Sequence, residues 1–271
     1  MIASGNATLL AARAPAPSAE RPPQPSRAPA VARAATVLRL LAGERYGLGV
    51  TEIARRVGLV PSTCLHVLRA LVDEGFITFD EQKKTYRTGV GLLTLVRDAM
   101  ASSDFPKAVQ PFLDQIAAEH HVTAVAIELD NRNRTVVVAL ARASSFVSLH
   151  VNVGSRFPAL TSASGQCVAA ISNLGKDALK RQFETVRWEK PPRFEDWYAD
   201  VERARTEGVA VERNGAVRGL SIIAALLPNS IDRTVRGIAL IGFEHHMTER
   251  TIRQLKDVVK DTVRNVSARL N

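Results

Sequence analysis

The sequence predicts an α+β protein with two folded domains. The smaller, N-terminal domain is helical and closed by a two-stranded hairpin, and the larger one packs helices on an antiparallel sheet. Three observations lead to this prediction. The 271 residues exceed the length of one average domain. Short helical patterns ending at glycines fill residues 31–88. Beyond residue 104, strand-like and helical segments alternate, and a turn at 131–133 favours antiparallel pairing.

Composition narrows the class of protein. The apolar fraction of 46% and charged fraction of 23% are near those of globular domains, which excludes global disorder and fibrous repeats. The net charge of +9 favours a polyanionic partner such as nucleic acid. Six of the 13 prolines lie within residues 1–30, where large side chains are scarce, so we expect a disordered tail there. An alternative is that translation starts after Met1.

Three helices are predicted in the N-terminal domain. Apolar residues recur at helical spacing, and a glycine follows each helix. Thr51 has the chemistry of an N-cap for the second helix, and Pro61 opens the third. Cys64, Leu68 and Leu71 share the buried face of the third helix. The predicted helices span residues 35–42, 51–57 and 61–74.

A hairpin completes this domain. Residues 76–79 and 85–88 are predicted strands, and the polar segment between them is a turn. Two helices joined by a tight turn, with a third before them and a hairpin after, form a winged helix-turn-helix. We therefore assign residues 31–88 to DNA binding.

The predicted DNA contacts divide into two groups. In the major groove, the third helix would read bases with Arg69, meet a thymine methyl with Leu65, and hold phosphates with Ser62 and Thr63. Basic residues of the second helix and hairpin would bind phosphates, which supply affinity rather than sequence choice. The alternative is that these charged side chains are merely exposed to solvent and bind no DNA. The complete predicted set is Thr51, Arg55, Arg56, Ser62, Thr63, Leu65, His66, Arg69, Lys83, Lys84 and Arg87.

Two stretches carry a resemblance to a known family. They are TEIARRVGLVPSTCLHVLRALVDEGFITFDEQKKTYRTG, with VARAATVLRLLAG before it, and VGSRFPALTSASGQCVAA at residues 153–170. The chain resembles the isocitrate lyase regulator (IclR) family of bacterial transcription factors from about residue 31 to residue 270. The resemblance implies a GAF/PAS-like effector-binding domain after a linker helix, and dimers or tetramers acting on palindromic operators as repressors or activators.

The second half fits this implication. Residues 89–103 form an apolar-rich helix suited to linking and dimer contacts, although it could equally pack on its own domain. Residues 104–271 then constitute the effector-binding and oligomerisation domain. Its predicted helices are 104–120, 164–172, 176–183, 194–207 and 249 onward, and its predicted strands are 123–130, 134–142, 146–153, 209–212, 220–227 and 235–243.

An effector site is expected in the 153–170 stretch. The Gly- and Ser-rich loop from Gly154 leads into a helix, where backbone amides and hydroxyls can hold a carboxylate. Ser162, Ser164 and Gly165 are the first candidates. The alternative is that these residues are part of an ordinary domain core that binds no ligand.

The resemblance adds three positions to this site. The family's thiol- or hydroxyl-bearing pocket positions fall on Ser221, Ala239 and Ile241, and only Ser221 keeps a polar group. At the two apolar positions, such a pocket offers no hydrogen bond to a small, highly charged acid such as glyoxylate. We therefore expect a bulkier or more apolar effector, for example an aromatic acid.

Other classes of protein fit the sequence less well. No stretch is long and apolar enough for a membrane span, and the two cysteines match no metal-ligand spacing, so we expect a cytoplasmic protein without cofactor or metal. The pairs His120–His121 and His245–His246 lack a ligand spacing. No nucleophile elbow or phosphate loop is present, so no catalytic residue is assigned. The alternatives are a small-molecule sensor or GAF-like enzyme without regulatory DNA binding, and a winged-helix regulator that answers to a protein partner.

Overall fold

Residues 28–143, 151–188, 190–215, 217–228 and 234–270 are described by a computed structural model of the chain. These residues form two units, separated between Ser103 and Asp104, and each has its own hydrophobic core. The predicted α+β class, with a helix-turn-helix unit before an antiparallel-sheet unit, is confirmed.

Three helices and a hairpin form the first unit. Val37, Ile53 and Leu68, one from each helix, are fully buried against Ile77 and Tyr86 of the hairpin. The turn between the second and third helices passes through Gly58 at φ +68°, a left-handed conformation that suits glycine. The elements are α1 (Pro29–Ala42), α2 (Val50–Val57), α3 (Pro61–Asp73), β1 (Ile77–Asp80) and β2 (Thr85–Thr88).

Two helix starts differ from the prediction. α1 begins at Pro29, inside the predicted tail, because proline suits the first helical position and alanines favour helix without an apolar pattern. Residues 1–27 of that tail lie outside the described residues. Thr51 is not an N-cap, since α2 begins one residue earlier after Gly49. Two backbone hydrogen bonds tie Leu48 to Tyr86 of β2, so the chain turns into the helix directly after them.

A further helix, α4 (Gly91–Ser102), ends this unit. None of its residues is buried. Leu93, Val96 and Met100, which share one face at helical spacing, are 70%, 54% and 42% exposed. The alternative that this helix packs on its own domain is therefore not supported, and an apolar stripe stays exposed.

The second unit is built on a six-stranded antiparallel sheet. Its strand order is β5-β4-β3-β8-β7-β6, so the edges are β5 and β6. The turn at 131–133 joins β3 to β4 as predicted, with Asn133 at φ +59°. The elements are α5 (Asp104–His120), β3 (Thr123–Leu129), β4 (Arg134–Ala141), β5 (Arg156–Pro158), α6 (Ser162–Ile171), α7 (Lys176–Thr185), α8 (Phe194–Glu207), β6 (Ala210–Arg213), β7 (Leu220–Leu226), β8 (Arg236–Phe243) and α9 (Glu249–Leu270).

Helices cover both sides of this sheet. On one side, called the α5/α9 face, Ala124, Ile223 and Leu240 pack against α5 and α9. On the other, called the α6 face, Val125, Ala239 and the neighbouring side chains pack against α6, α7 and α8. Successive strand residues alternate between these two faces.

The predicted strand at 146–153 is wrong where it can be judged. Residues 144–150 lie outside the described residues, and 151–153 are not in a strand. Asn152 and Ser155 instead bond to each other across a tight turn that contains Gly154 at φ +87°. The edge strand β5 therefore forms only afterwards.

Candidate functional site

The outer surface of α3 displays three side chains in one stripe. Ser62, His66 and Arg69 are exposed at positions i, i+4 and i+7, and Arg69 forms no ion pair with any described residue. Thr63 and Leu65 flank this stripe and are half-buried. The stripe can therefore enter a groove without disturbing the buried side of α3.

The hairpin places its cations at a defined turn. Backbone N–H groups of Gln82 and Lys83 donate to one carboxylate oxygen of Asp80, at 3.1 and 3.0 Å. These bonds, the one from Lys83 first, lower the pKa of Asp80. Lys84 lies 5.8 Å from the ring centre of Phe79, and Arg87 is exposed on β2. The wing cations are thus presented by a turn that is fixed by hydrogen bonds.

The two arginines of α2 are held differently. Glu52 accepts hydrogen bonds from Arg55 at 2.7 Å and from Arg56 at 2.5 Å, and Arg56 also bonds Glu44 at 2.7 Å. The hydrogen bonds from Arg55, and then from Arg56, lower the pKa of Glu52 to about 2. Both guanidinium groups therefore already have carboxylate partners. Thr51, also a predicted DNA contact, is exposed on the same helix.

The predicted effector loop contains one unusual backbone conformation. Ser162, the first residue of α6, has φ +64°, a left-handed value that is uncommon for residues other than glycine. Its neighbour Thr161 is the N-cap but makes no side-chain capping bond. Ser164 is buried on the next turn. The first turn of α6 thus carries two hydroxyl side chains, Ser162 half-buried and Ser164 buried.

Two glycines of the predicted site have structural roles. A Cβ on Gly165 would lie 2.3 Å from the backbone carbon of Leu160, so α6 approaches its own entry loop only with glycine there. Gly154 supplies the left-handed turn at the edge of β4 and is exposed.

Ser221 does not belong to the predicted pocket. Ile222 pairs with Ile241 and Ala224 pairs with Ala239, so these four side chains face α6. Ser221, one residue before Ile222, therefore points to the opposite side of the sheet. There its hydroxyl donates to a carboxylate oxygen of Glu244. This bond, followed by those from Arg213, lowers the pKa of Glu244.

Thr123 and Ile222 were not among the predicted effector residues, whereas their neighbour Ile241 was. Thr123, Ile222 and Ile241 lie side by side on β3, β7 and β8, and each keeps 9% of its surface exposed. Val168 of α6 is also 9% exposed. Ile223 and Leu240 on the other face are completely buried. The α6 face is thus apolar and almost wholly buried at these positions. The pairing of three strands brings Thr123, Ile222 and Ile241 together, and the sequence of one strand does not reveal that pairing.

Neither cysteine offers reactive chemistry. Cys64 is buried in α3, and burial raises its pKa. Cys167 of α6 is buried against the carbonyl of Ala224, at 3.2 Å, and burial raises its pKa to about 12. Both thiols stay protonated at neutral pH.

The two histidine pairs lie at the ends of structural elements. His120 ends α5, and the rings of His245 and His246 are 4.0 Å apart in a 3-10 turn after β8. The described ranges hold no group of three or more His, Cys, Asp or Glu side chains arranged for a metal ion. None of the helices in those ranges has the length and apolarity to cross a bilayer.

Comparison with known proteins agrees with this architecture. Residues 30–81 match the model of the IclR helix-turn-helix domain, and residues 97–268 match the model of the bacterial transcriptional regulator IclR C-terminal domain. The HTH-type transcriptional repressor AllR of Escherichia coli K12 is 23% identical over 261 residues, which cover 94% of each chain.

Solved structures share the fold. An IclR transcriptional regulator from Alicyclobacillus acidocaldarius superposes with a TM-score of 0.79 at 26% identity, over 91% of this chain and all of that one. An IclR homologue from Microbacterium hydrocarbonoxydans in complex with 4-hydroxybenzoate superposes with a TM-score of 0.70 at 19% identity, over 89% and 98% of the two chains.

Proposed function

The chain belongs to the IclR family of bacterial transcriptional regulators, and we propose that three segments of it have separate roles. Residues 31–88 bind operator DNA, residues 89–103 link the domains, and residues 104–271 bind the effector and form oligomers. The chain is a DNA-binding regulator modulated by a small organic effector and not an enzyme, so the GAF-like enzyme alternative is set aside.

DNA recognition is carried by α3. Its exposed stripe of Ser62, His66 and Arg69, whose guanidinium pairs with no carboxylate of the described residues, is the observation that supports this role. Arg69 reads a base edge, Thr63 and Ser62 bind phosphate, and Leu65 contacts an apolar base edge.

The wing supplies affinity. Lys83, Lys84 and Arg87 bind phosphates, since all three side chains are exposed on the hairpin whose turn is fixed by Asp80. Arg55 and Arg56 contribute less, because binding phosphate requires them to leave Glu52 or to bring its charge close to the DNA.

The effector binds between α6 and the face of the sheet that α6 covers. Ala239 and Ile241 provide an apolar floor, and the first turn of α6, with Ser162 and Ser164, provides polar contacts for one end of the ligand. An apolar floor matches an aromatic acid better than glyoxylate. Titration calorimetry with both classes tests this. Tight binding of glyoxylate together with no binding of aromatic acids would refute it.

Two copies of the chain associate through the exposed stripe of α4. Leu93, Val96 and Met100 form an apolar surface of the kind that soluble proteins cover by association. The two winged helices of a dimer would read a palindromic operator with half-sites about 34 Å apart, or a multiple of that spacing. Effector binding would favour one arrangement of the dimer, and α4 would transmit that preference to the winged helices. Regulation of transcription places the protein in the cytoplasm.

Fluorescence anisotropy on DNA from upstream of the protein's own gene tests the proposal, with a random duplex for comparison. We expect binding at least about a thousandfold tighter to the specific DNA, and a change in that ratio when effector is added. Equal weak affinity for both duplexes, with and without effector, would contradict it.

A further inference from the structure

The residue directly before α3 is an exposed valine. Val60 is the N-cap of this helix, with φ −69° and ψ 145°, and its carbonyl accepts the first helical hydrogen bond, from the N–H of Cys64 at 3.0 Å. Its side chain is 63% exposed. The preceding Val57 and Leu59 pack against the core of the smaller unit, whereas Val60 is not among the residues of that core. Val60 therefore adds little to the packing of the unit.

Valine is also a poor N-cap. Ser, Thr, Asp or Asn at this position accepts a hydrogen bond from an N–H group of the first helical turn, and valine cannot. α3 has no side-chain capping bond, so the N–H groups of Ser62 and Thr63 receive none from the cap residue. Val60 thus serves neither the helix end nor the core. A residue that breaks a local rule without gaining burial is typical of a functional site.

Val60 lies at the beginning of the exposed surface of α3. Pro61 and Ser62, which follow it, are both exposed, and Ser62 is the first member of the stripe that continues through His66 and Arg69. In a helix-turn-helix, the N-terminal residues of the second helix contact base edges in the major groove. The apolar group that a base pair presents in that groove is the methyl group of thymine. An exposed valine at this position matches that group in size and polarity.

We propose that Val60 contacts a thymine methyl group in each operator half-site and thereby determines the base at that position. This rests on the proposed role of α3 in reading DNA and adds an apolar contact to its polar stripe. Leu65, the other apolar candidate, is half-buried, so Val60 is the more accessible of the two. The burial of one methyl group corresponds to about a fourfold difference in affinity.

Fluorescence anisotropy tests this with the duplex that the full-length wild-type protein enriches from a random-sequence pool. Each thymine is replaced in turn by uracil, which lacks only the methyl group. For wild-type protein we expect one position in each half-site at which the replacement weakens binding about fourfold. Val60→Ala and Val60→Ser should bind the thymine duplex more weakly than wild type, and neither should distinguish thymine from uracil at that position.

The same variants should differ in stability. Serine supplies the missing cap, so Val60→Ser should raise the unfolding midpoint of the smaller unit by about 4–8 °C. Val60→Ala should leave the midpoint nearly unchanged, because neither valine nor alanine caps a helix. Circular dichroism measures both. A merely structural role of Val60 would not combine higher stability with the loss of thymine discrimination.

A matched control and three outcomes decide the matter. Val31→Ser on α1 removes the same two methyl groups from a valine that is 68% exposed, and it should leave thymine discrimination unchanged. The proposal is overturned if no thymine is sensitive in wild type, or if discrimination persists in both Val60 variants. It is also overturned if Leu65→Ala alone loses discrimination. If wild-type protein enriches no sequence, the proposed role of α3 is wrong, and this inference with it.

Discussion

Glu52 determines how much net positive charge α2 presents at its surface. Its carboxylate binds Arg55 and Arg56 together, and a pKa of about 2 keeps it ionised throughout the physiological range. The two arginines look like phosphate ligands in the sequence, yet Glu52 balances one of their two charges within the helix and Glu44, outside it, also pairs with Arg56. A count of basic residues thus overstates the electrostatic attraction of this surface.

Replacing Glu52 with Gln should therefore strengthen binding to random duplex DNA. The substitution releases Arg55 in particular, so the slope of log affinity against log salt should steepen by about one unit. Anisotropy across a salt series measures this. The ratio of variant to wild-type affinity should be constant between pH 5 and pH 8, because Glu52 does not titrate there. Glu74→Gln removes the same charge without releasing an arginine, and an equal steepening in that control would contradict the explanation.

Ser221→Ala should lower stability without changing effector affinity. The hydroxyl is fully buried and bonds the carboxylate of Glu244, so its loss should cost about 1–3 kcal/mol in the free energy of unfolding at pH 7. Denaturant unfolding and calorimetry with the effector measure the two quantities. Reduced affinity at unchanged stability would show that Ser221 faces the pocket after all.

The same variant has a predicted pH dependence. The pKa of Glu244 is lowered in the folded protein, first by the Ser221 hydroxyl, so this contribution to stability is present above the ordinary Glu pKa of 4.5. It is lost as the pH falls through the lowered value. The stability difference between wild type and Ser221→Ala should accordingly shrink below pH 4.5, and a difference that grows on acidification would contradict this assignment.

At the level of elements, α4 combines a regular helix with an uncovered apolar stripe. Exposure of these apolar side chains to water is unfavourable in free energy, and a second copy of the same helix can cover them. Leu93 is the most exposed residue of the stripe, at 70%, and Thr94 lies beside it and is also exposed. The two positions make a matched pair for testing association.

Leu93→Glu should weaken self-association by at least about tenfold, because dimer formation would then bury an unpaired carboxylate. Sedimentation velocity over a range of protein concentrations measures this, and far-UV circular dichroism checks that the monomer stays folded. Thr94→Glu is the control of equal charge. Identical association constants for wild type and Leu93→Glu would remove α4 from the interface.

The elements also explain which parts of the fold the sequence predicts. α3 and its hairpin were predictable because their signals are local: apolar spacing, Pro61 at the start and glycine at the end. The start of α1 was missed because alanine favours helix without an apolar pattern. The face of the sheet on which Ser221 lies depends on how β7 pairs with β8. The sequence of either strand alone does not determine that pairing. The wrong strand at 151–153 reflects a turn made by Asn152 and Ser155, which apolar alternation does not reveal.

The whole molecule consists of two units with separate cores, and this division has a thermodynamic consequence. A ligand that binds one unit stabilises that unit directly. Both tryptophans, Trp188 and Trp197, lie in the larger unit, so their fluorescence reports that unit alone, while circular dichroism reports helices of both. The two signals can therefore distinguish the transitions.

Thermal unfolding should show that effector and DNA act on different transitions. At a hundred times its Kd, the effector should stabilise the larger unit by about 2.7 kcal/mol and raise the tryptophan-detected midpoint. Operator DNA should instead raise the midpoint temperature of the smaller unit. That unit contributes to the circular-dichroism signal but not to the tryptophan fluorescence. One coincident transition by both signals, shifted equally by either ligand, would show that the units unfold together.

The burial of both thiols makes the chain convenient for site-specific labelling. Cys64 and Cys167 lie inside their units and stay protonated, so maleimide dyes would react with them slowly. A single cysteine introduced on the exposed surface of the wing would then carry the dye without removal of the native ones. Energy transfer between two such dyes in a dimer would read the separation of the winged helices directly, as effector is added.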